Sequence, residues 1–246
     1  KAVIGVHIYG QPYDPRLLKL CREKGIYLIE DAAQAHGASQ VMLDGNELVA
    51  GSMGDLGCFS FFPSKNMAVG GEGGMLTTTV NELTDAVSLV VNHGRSPSLE
   101  SMQLGSNLRM SEVSAAIGTV QLSHLDSWVG RRREIAEIYH QAFADHALIS
   151  TPKVRPGAKH AWHQYCLATQ YPDELVVHLD QHGIDARRYY VTPCHRQNVF
   201  AKHPQHGQVL PVTATLSSSL VAIPVMHELR DDEIERIISA IISFKI

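Results

Sequence analysis

Disulfide and metal frameworks are what this sequence most plainly lacks. Four cysteines (Cys21, Cys58, Cys166 and Cys194) are scattered through 246 residues with no CxxC pair. That excludes a disulfide-stapled fold and fits small buried thiols in a reducing compartment, the cytoplasm. Fourteen histidines are present, but no HExxH and no Cys/His quartet with zinc-like spacing. His160 and His163 are three apart, as are His203 and His206, and the polar stretch 193–207 reads as exposed loop, so no metal site is expected. A net charge of −4 and a pI near 6.4 remove the electrostatic case for nucleic acid or an anionic membrane. No apolar run is long enough to span a bilayer, no signal-peptide pattern is visible, and neither repeats nor low-complexity segments occur. The chain begins with Lys1 and enters a strand at Val3–Ile8 almost at once, which reads as a fragment or a processed chain.

What is present centres on residues 55–74, DLGCFSFFPSKNMAVGGEGG. The apolar run Leu56–Phe62 predicts a buried strand ending at Pro63. Lys65 follows, then a loop holding Gly70, Gly71, Gly73 and Gly74. A lysine just past a buried strand sits in partly dry surroundings, which lowers its pKa and makes the amine a nucleophile toward a carbonyl. The plainer alternative is a surface turn with a solvated lysine. Upstream, GIYLIEDAAQAHGA (25–38) predicts a central parallel strand over Ile26–Ile29, with Glu30 and Asp31 at its end. In open α/β sheets that edge is where ligands bind. A carboxylate there can keep a pyridinium nitrogen protonated, as pyridoxal 5'-phosphate (PLP) chemistry requires. Taken alone, Asp31 reads first as a helix cap for the AAQAHG segment that follows. Ser60, five residues before Lys65, offers a hydroxyl to a phosphate.

Along the chain, Val3–Ile8, a helix opened by Asp14-Pro15 and closed by Gly25, and the strand ending at Asp31 make a βαβ unit with a parallel sheet. Residues 39–53 read as a surface excursion around Asp44-Gly45. Asn81 is expected to cap a helix with Leu83, Val87, Val90 and Val91 on its inner side. Residues 111–145 read as two helical runs or one bent helix, starting at Ser111, with the bend expected at Trp128-Val129-Gly130. Its expected buried stripe is Val113, Ala116, Ile117, Val120, Ile135, Ile138 and Ala142. Arg131–Arg133 fit either an anion site or a solvated helix face. The remainder predicts a smaller α+β domain: a strand over Trp162–Ala168, a helix over Asp173–His182, and a last helix capped by Asp231 with an isoleucine-rich face. The domain boundary is placed at residues 1–130 and 131–246.

Six ordered blocks carry a resemblance: VHIYGQP (6–12), EDAAQAHGA (30–38), GDLGCFSFFPSKN (54–66), GGEGGMLTT (70–78), NHGR (92–95) and GSNLRMSEVSAAIGTVQL (105–122). RRREIAEIY (131–139) continues the match. Together they resemble the DegT/DnrJ/EryC1/StrS family, PLP-dependent aminotransferases that act on nucleotide-linked keto sugars. The resemblance implies an aspartate-aminotransferase-like α/β fold without its N-terminal part, followed by a smaller α+β domain. It implies Lys65 as the lysine that holds PLP, Asp31 as partner of the pyridine nitrogen, and Gln34 as contact to the phenolic oxygen. It also implies that Ser60 binds the phosphate and that Asn107, otherwise a plausible turn residue, reaches the cofactor of a neighbouring subunit in a homodimer with shared active sites. Tyr190 and His195, in RRYYVTPCHRQ (187–197), match the substrate-side segment. The implied donor is glutamate and the implied acceptor a nucleotide-linked keto sugar. A non-catalytic PLP-binding regulator and a sugar dehydratase are the alternatives. Dehydratases of the family carry histidine where Lys65 stands.

Overall fold

In the computed structural model, which describes residues 1–246, the chain divides into two compact units. The first comprises residues 1–131 and 154–163, the second residues 132–153 and 164–246. The first unit opens with β1 (Ala2–Val6), α1 (Arg16–Lys24) and β2 (Tyr27–Asp31). β1 and β2 run parallel, with Ala2 beside Tyr27 and Val6 beside Asp31, so α1 is the crossover between them. Gly25 stops α1 in the left-handed region, φ 61°, and its amide returns to the Arg22 carbonyl. Pro15, not Asp14, takes the N-cap position. The Asp14 carboxylate is instead held by Arg16, whose amide and guanidinium both donate to it.

β3 (Ser39–Val41) and β4 (Glu47–Val49) form a hairpin around Gly45, so the expected surface excursion is in fact a structured ribbon. It buries Ser39, Gln40, Met42, Ala50 and Met53. β5 (Leu56–Ser60) adds to β2 in parallel, and β6 (Gly74–Thr77) closes the sheet antiparallel to β5, giving the order β1-β2-β5-β6. Leu28, Ala32, Ala35 and Ala38 are fully buried around β2. Small side chains there let the segment after the strand lie close to the sheet.

α2 (Asn81–Val91) and α3 (Glu112–Leu122) depart from expectation. Val80 rather than Asn81 is the N-cap of α2, and no α2 residue is buried within this chain. Ser111 does cap α3, its hydroxyl accepting the Ser114 amide at 3.1 Å. The expected stripe is nevertheless exposed: Val113 and Val120 are 72% and 62% accessible. Periodicity correctly signals a helix, but within this chain it is covered only where buried Gly118 lies against Val69 and Met67. The break between helices falls at Ser123–His124, and the helical assignment of α4 (Leu125–Phe143) continues through Trp128-Val129-Gly130.

After β7 (Ile149–Ser150), the chain returns to the first unit as β8 (Ala158–Lys159), which pairs with β3. The second unit then adds β9 (Tyr165–Thr169), α5 (Pro172–Gln181), α6 (Pro211–Ser219), β10 (Leu220–Ile223) and α7 (Asp231–Ile242). Its sheet has the order β10-β9-β7, all antiparallel. Ile135, Tyr139 and Phe143 of α4, Leu175 and Leu179 of α5, and Ile234, Ile237 and Ile241 of α7 fill its core. Each such side chain contributes roughly 1.5–3 kcal/mol by leaving water. Ile138 and Ile242 stay partly exposed, and Arg230 rather than Asp231 is the N-cap of α7. Arg132 fits neither expectation for the arginine run. It is buried, donates to the Val225 carbonyl at 3.1 Å, and burial lowers its pKa to about 10. No helix is long and apolar enough to cross a membrane.

Candidate active site

β2 and β5 lie side by side and parallel, so their C-terminal ends emerge at one edge of the sheet. Asp31 is the last residue of β2, next to Cys58 in register, and Ser60 is the last residue of β5. Asp31 is half-buried, and its Oδ1 accepts the Ala33 amide at 3.1 Å. No helix follows β2, so Asp31 caps none; this bond closes a short turn and leaves the second carboxylate oxygen for other work. Lys65 lies in the turn after β5, its amide donating to the Phe62 carbonyl at 2.9 Å. Partial burial lowers the pKa of its amine, while the nearby Asp31 carboxylate acts in the opposite sense. Burial is the larger cause, so the amine is released from its proton more readily than that of a free lysine. Gln34 sits in the segment after β2, with Oε1 accepting the Tyr9 amide at 2.6 Å. Ser60 Oγ accepts the Phe62 amide at 3.3 Å.

Beneath this edge lies a buried acid that the sequence placed beside Asp31 but did not explain. Glu30 is fully buried and points away from Asp31, as alternation along a strand requires. Its Oε1 accepts the amides of Met53 (2.6 Å) and Gly54 (2.7 Å), and its Oε2 the amide of Gly51 (2.8 Å) and Nε2 of His7 (2.8 Å). His7 Nδ1 accepts the Tyr13 amide at 3.1 Å, so the ring proton is on Nε2 and the neutral imidazole donates to Glu30.

His36 is the residue that sequence reasoning missed. It is 2% exposed, between the rings of Phe59 (5.3 Å) and Phe61 (5.9 Å), and neither nitrogen makes a hydrogen bond of acceptable geometry. The Ser60 main chain is close enough to act weakly on it. Burial first, and the Lys65 charge second, bring its pKa down to about 4, so the ring is neutral. Its only sequence signal is a histidine embedded in alanine and glycine.

Asn107 stands apart from this cluster. It is exposed, faces Asn92 across a loop and accepts Arg109 Nε at 3.1 Å. Tyr190 and His195 belong to the second unit, Tyr190 being 44% exposed. The donor set of the first unit is an amine, a carboxylate, an amide and a hydroxyl, with an orphaned buried imidazole alongside. It matches the needs of a pyridine aldehyde bearing a phosphate: a nucleophile for the carbonyl, an anion for the ring nitrogen and a donor for the phosphate.

The family model for DegT/DnrJ/EryC1/StrS aminotransferases matches residues 1–242. The chain belongs to that family. A "pleiotropic regulatory protein" of Geobacillus stearothermophilus is 35% identical over 99% of this chain and 65% of its own length. The UDP-N-acetyl-3-dehydro-alpha-D-glucosamine 3-aminotransferase of Acidithiobacillus ferrooxidans is 36% identical over 98% of this chain and 63% of its own. Among solved structures, S. venezuelae DesV in complex with a ketimine intermediate superposes with a TM-score of 0.91 at 32% identity, covering 98% of this chain and 64% of that one. The fold is thus the α/β PLP-transferase fold of the DegT/DnrJ/EryC1/StrS family. The chain spans slightly under two thirds, 62–66%, of the length of curated relatives it matches.

Proposed function

We propose that the protein to which this chain belongs transfers an amino group from glutamate to a keto sugar carried on a nucleotide, in the cytoplasm, with PLP as cofactor. One observation carries the proposal: a half-buried lysine with a lowered pKa lies in the field of a carboxylate where two parallel strands end. The family membership and the aminotransferase name of a 36% identical relative support the sugar as acceptor.

When bound, the cofactor supplies an electron sink for the charge left on the donor's α-carbon. Lys65 would hold it covalently and would carry the proton from that α-carbon as general base and then acid. An amine that deprotonates below the ordinary lysine range suits that duty. Asp31 keeps the ring nitrogen protonated, Gln34 contacts the phenolic oxygen, and Ser60 binds the phosphate. Asn107 reaches the phosphate bound by a second copy of the chain, and Tyr190 and His195 meet the sugar substrate. Lysine at position 65, rather than histidine, favours transamination over dehydration.

The exposed apolar side chains of the first unit support a homodimer. Leu99, Met102, Leu104, Leu108, Val113 and Val120 are each more than 60% accessible, a concentration that monomers rarely leave in water. Protein mixed with PLP is expected to absorb in the visible, and borohydride is expected to bleach the band and fix the label on Lys65. Label on another lysine refutes the assignment. Asp31→Asn should retain some PLP but lose transamination by several orders of magnitude, and near-normal turnover would leave Asp31 as a turn residue only.

A further inference from the structure

We infer that Asn66 is a positioning residue for Lys65, tying the turn that carries the lysine to the strap formed by residues 160–163. The turn has few anchors of its own: Phe62, Pro63 and Ser64 are exposed, and Lys65 is held through its amide alone. Asn66 is 3% exposed, and its amide faces inward. Nδ2 donates to the Ala161 carbonyl at 2.8 Å, and Oδ1 lies 3.3 Å from His163 Nδ1. An amide used as donor and acceptor at once against two residues of one strap fixes both the distance and the rotation of the turn, which a single bond cannot do.

The strap is itself rigid. The Trp162 amide donates to His160 Nδ1 at 2.8 Å, the two rings stack at 3.9 Å, and Trp162 holds φ at 47°. It is also fastened to the segment after β1, where the Ala161 amide donates to the Gly10 carbonyl at 2.9 Å. Gly10 has no room for a side chain, because a Cβ there would meet the Gln34 carbonyl and the amides of Trp162 and His163 at 3.0–3.1 Å. The neighbouring Tyr9 amide donates to Gln34 Oε1. Through the strap, Asn66 sets Lys65 against the same frame that holds Gln34.

The inference rests on Lys65 as the reactive amine, and its test reads that amine directly, without cofactor or turnover. Lysines of the intact chain are methylated with limiting formaldehyde and cyanoborohydride across a pH series, and peptide mass spectrometry gives the midpoint for Lys65, with exposed Lys19 as internal reference. The charged and titratable groups acting on Lys65 are Asp31 and His36, and both are left unchanged. Asn66→Ala is expected to raise the Lys65 midpoint by about half a pH unit or more as the turn moves into water, with Lys19 unmoved. A folded Asn66→Ala protein with an unchanged Lys65 midpoint overturns the inference, even if it melts at lower temperature. Should Asn66→Ala not fold, His163→Ala removes only the longer bond and gives the same readout: a raised midpoint supports the inference and an unchanged one overturns it.

Discussion

Glu30→Gln preserves the size and shape of a fully buried side chain and changes only what it can accept. Four N–H groups converge on the two carboxylate oxygens, two on each, and all four are donors. A glutamine amide can serve one pair through its oxygen. The other pair, Met53 and Gly54 or Gly51 and His7, would then face an NH2 group. Hydrogen bonds to a charged acceptor are worth about 1.5–3 kcal/mol each, and stranded buried donors cost a further 1–3 kcal/mol apiece. Local relaxation recovers part of this, so about 3–5 kcal/mol is expected, the range for breaking a buried charged arrangement. That is a large share of the roughly 5–15 kcal/mol that holds a typical domain folded.

The assay is favoured by the sequence, because Trp128 and Trp162, the only tryptophans, both belong to the first unit. Tryptophan fluorescence in urea therefore reports that unit without interference from the second, and the shift in midpoint at constant slope gives the loss. Glu47→Gln is the control. Glu47 pairs with the exposed Lys159 at 2.8 Å and accepts the Ser39 hydroxyl, a bond a glutamine oxygen keeps, so the change removes only a surface pair worth about 1 kcal/mol or less. A Glu30→Gln loss no larger than that of the control would refute the argument that the buried carboxylate organises the edge of the sheet.

Two further outcomes are expected. His36 has a folded-state pKa of about 4, below its ordinary value of 6.5, so the unfolded chain binds the extra proton between those values. Stability from this group is complete above about pH 6.5 and declines as the pH falls toward 4, by up to roughly 3 kcal/mol. His36→Phe should flatten that part of the urea-midpoint-against-pH curve, and an unchanged slope would show the imidazole to be solvated. Gly94 holds φ at 70°, and a Cβ there would collide with the Gln103 carbonyl. Gly94→Ala should therefore open the 92–107 loop at a cost above about 1 kcal/mol, read by hydrogen exchange at the His93 and Ser106 amides. Undiminished protection would refute it.

Legibility varied with how local the cause was. The βαβ unit, the Gly25 stop and the Ser111 cap depend on neighbours within a turn or two, and composition alone announces them. Helical periodicity in α2 and α3 was equally plain, yet it does not say what lies opposite, and there the expected burial failed. The two helical runs part at Ser123–His124 rather than at Trp128-Val129-Gly130, where Val129 is buried and Gly130 lies within a continuous helix, in which a glycine is tolerated. Arg132 was read from charge, but its long apolar stem lets it lie inside while its head finds the Val225 carbonyl. Of the candidate site, Asp31 and Ser60 are legible as the ends of two strands and Lys65 as the residue after the second. His36 and Asn66 were not, because their roles come from contacts with residues up to 97 positions away.

The return of residues 154–163 to the first unit bears on how the chain is made. Translation delivers the N-terminus first, at roughly 5–20 residues per second, and domains commonly fold as they emerge. Here the nascent first unit is still incomplete when residues up to 131 have left the ribosome. β8 and the partners of Asn66 are still inside the exit tunnel or unsynthesised, and the beginning of the second unit must be extruded before them. During that interval the β3 edge and the Lys65 turn remain unlatched. The nascent chain is then at its most exposed to chaperones and to proteolysis, and a pause in translation just before residue 163 would prolong that state.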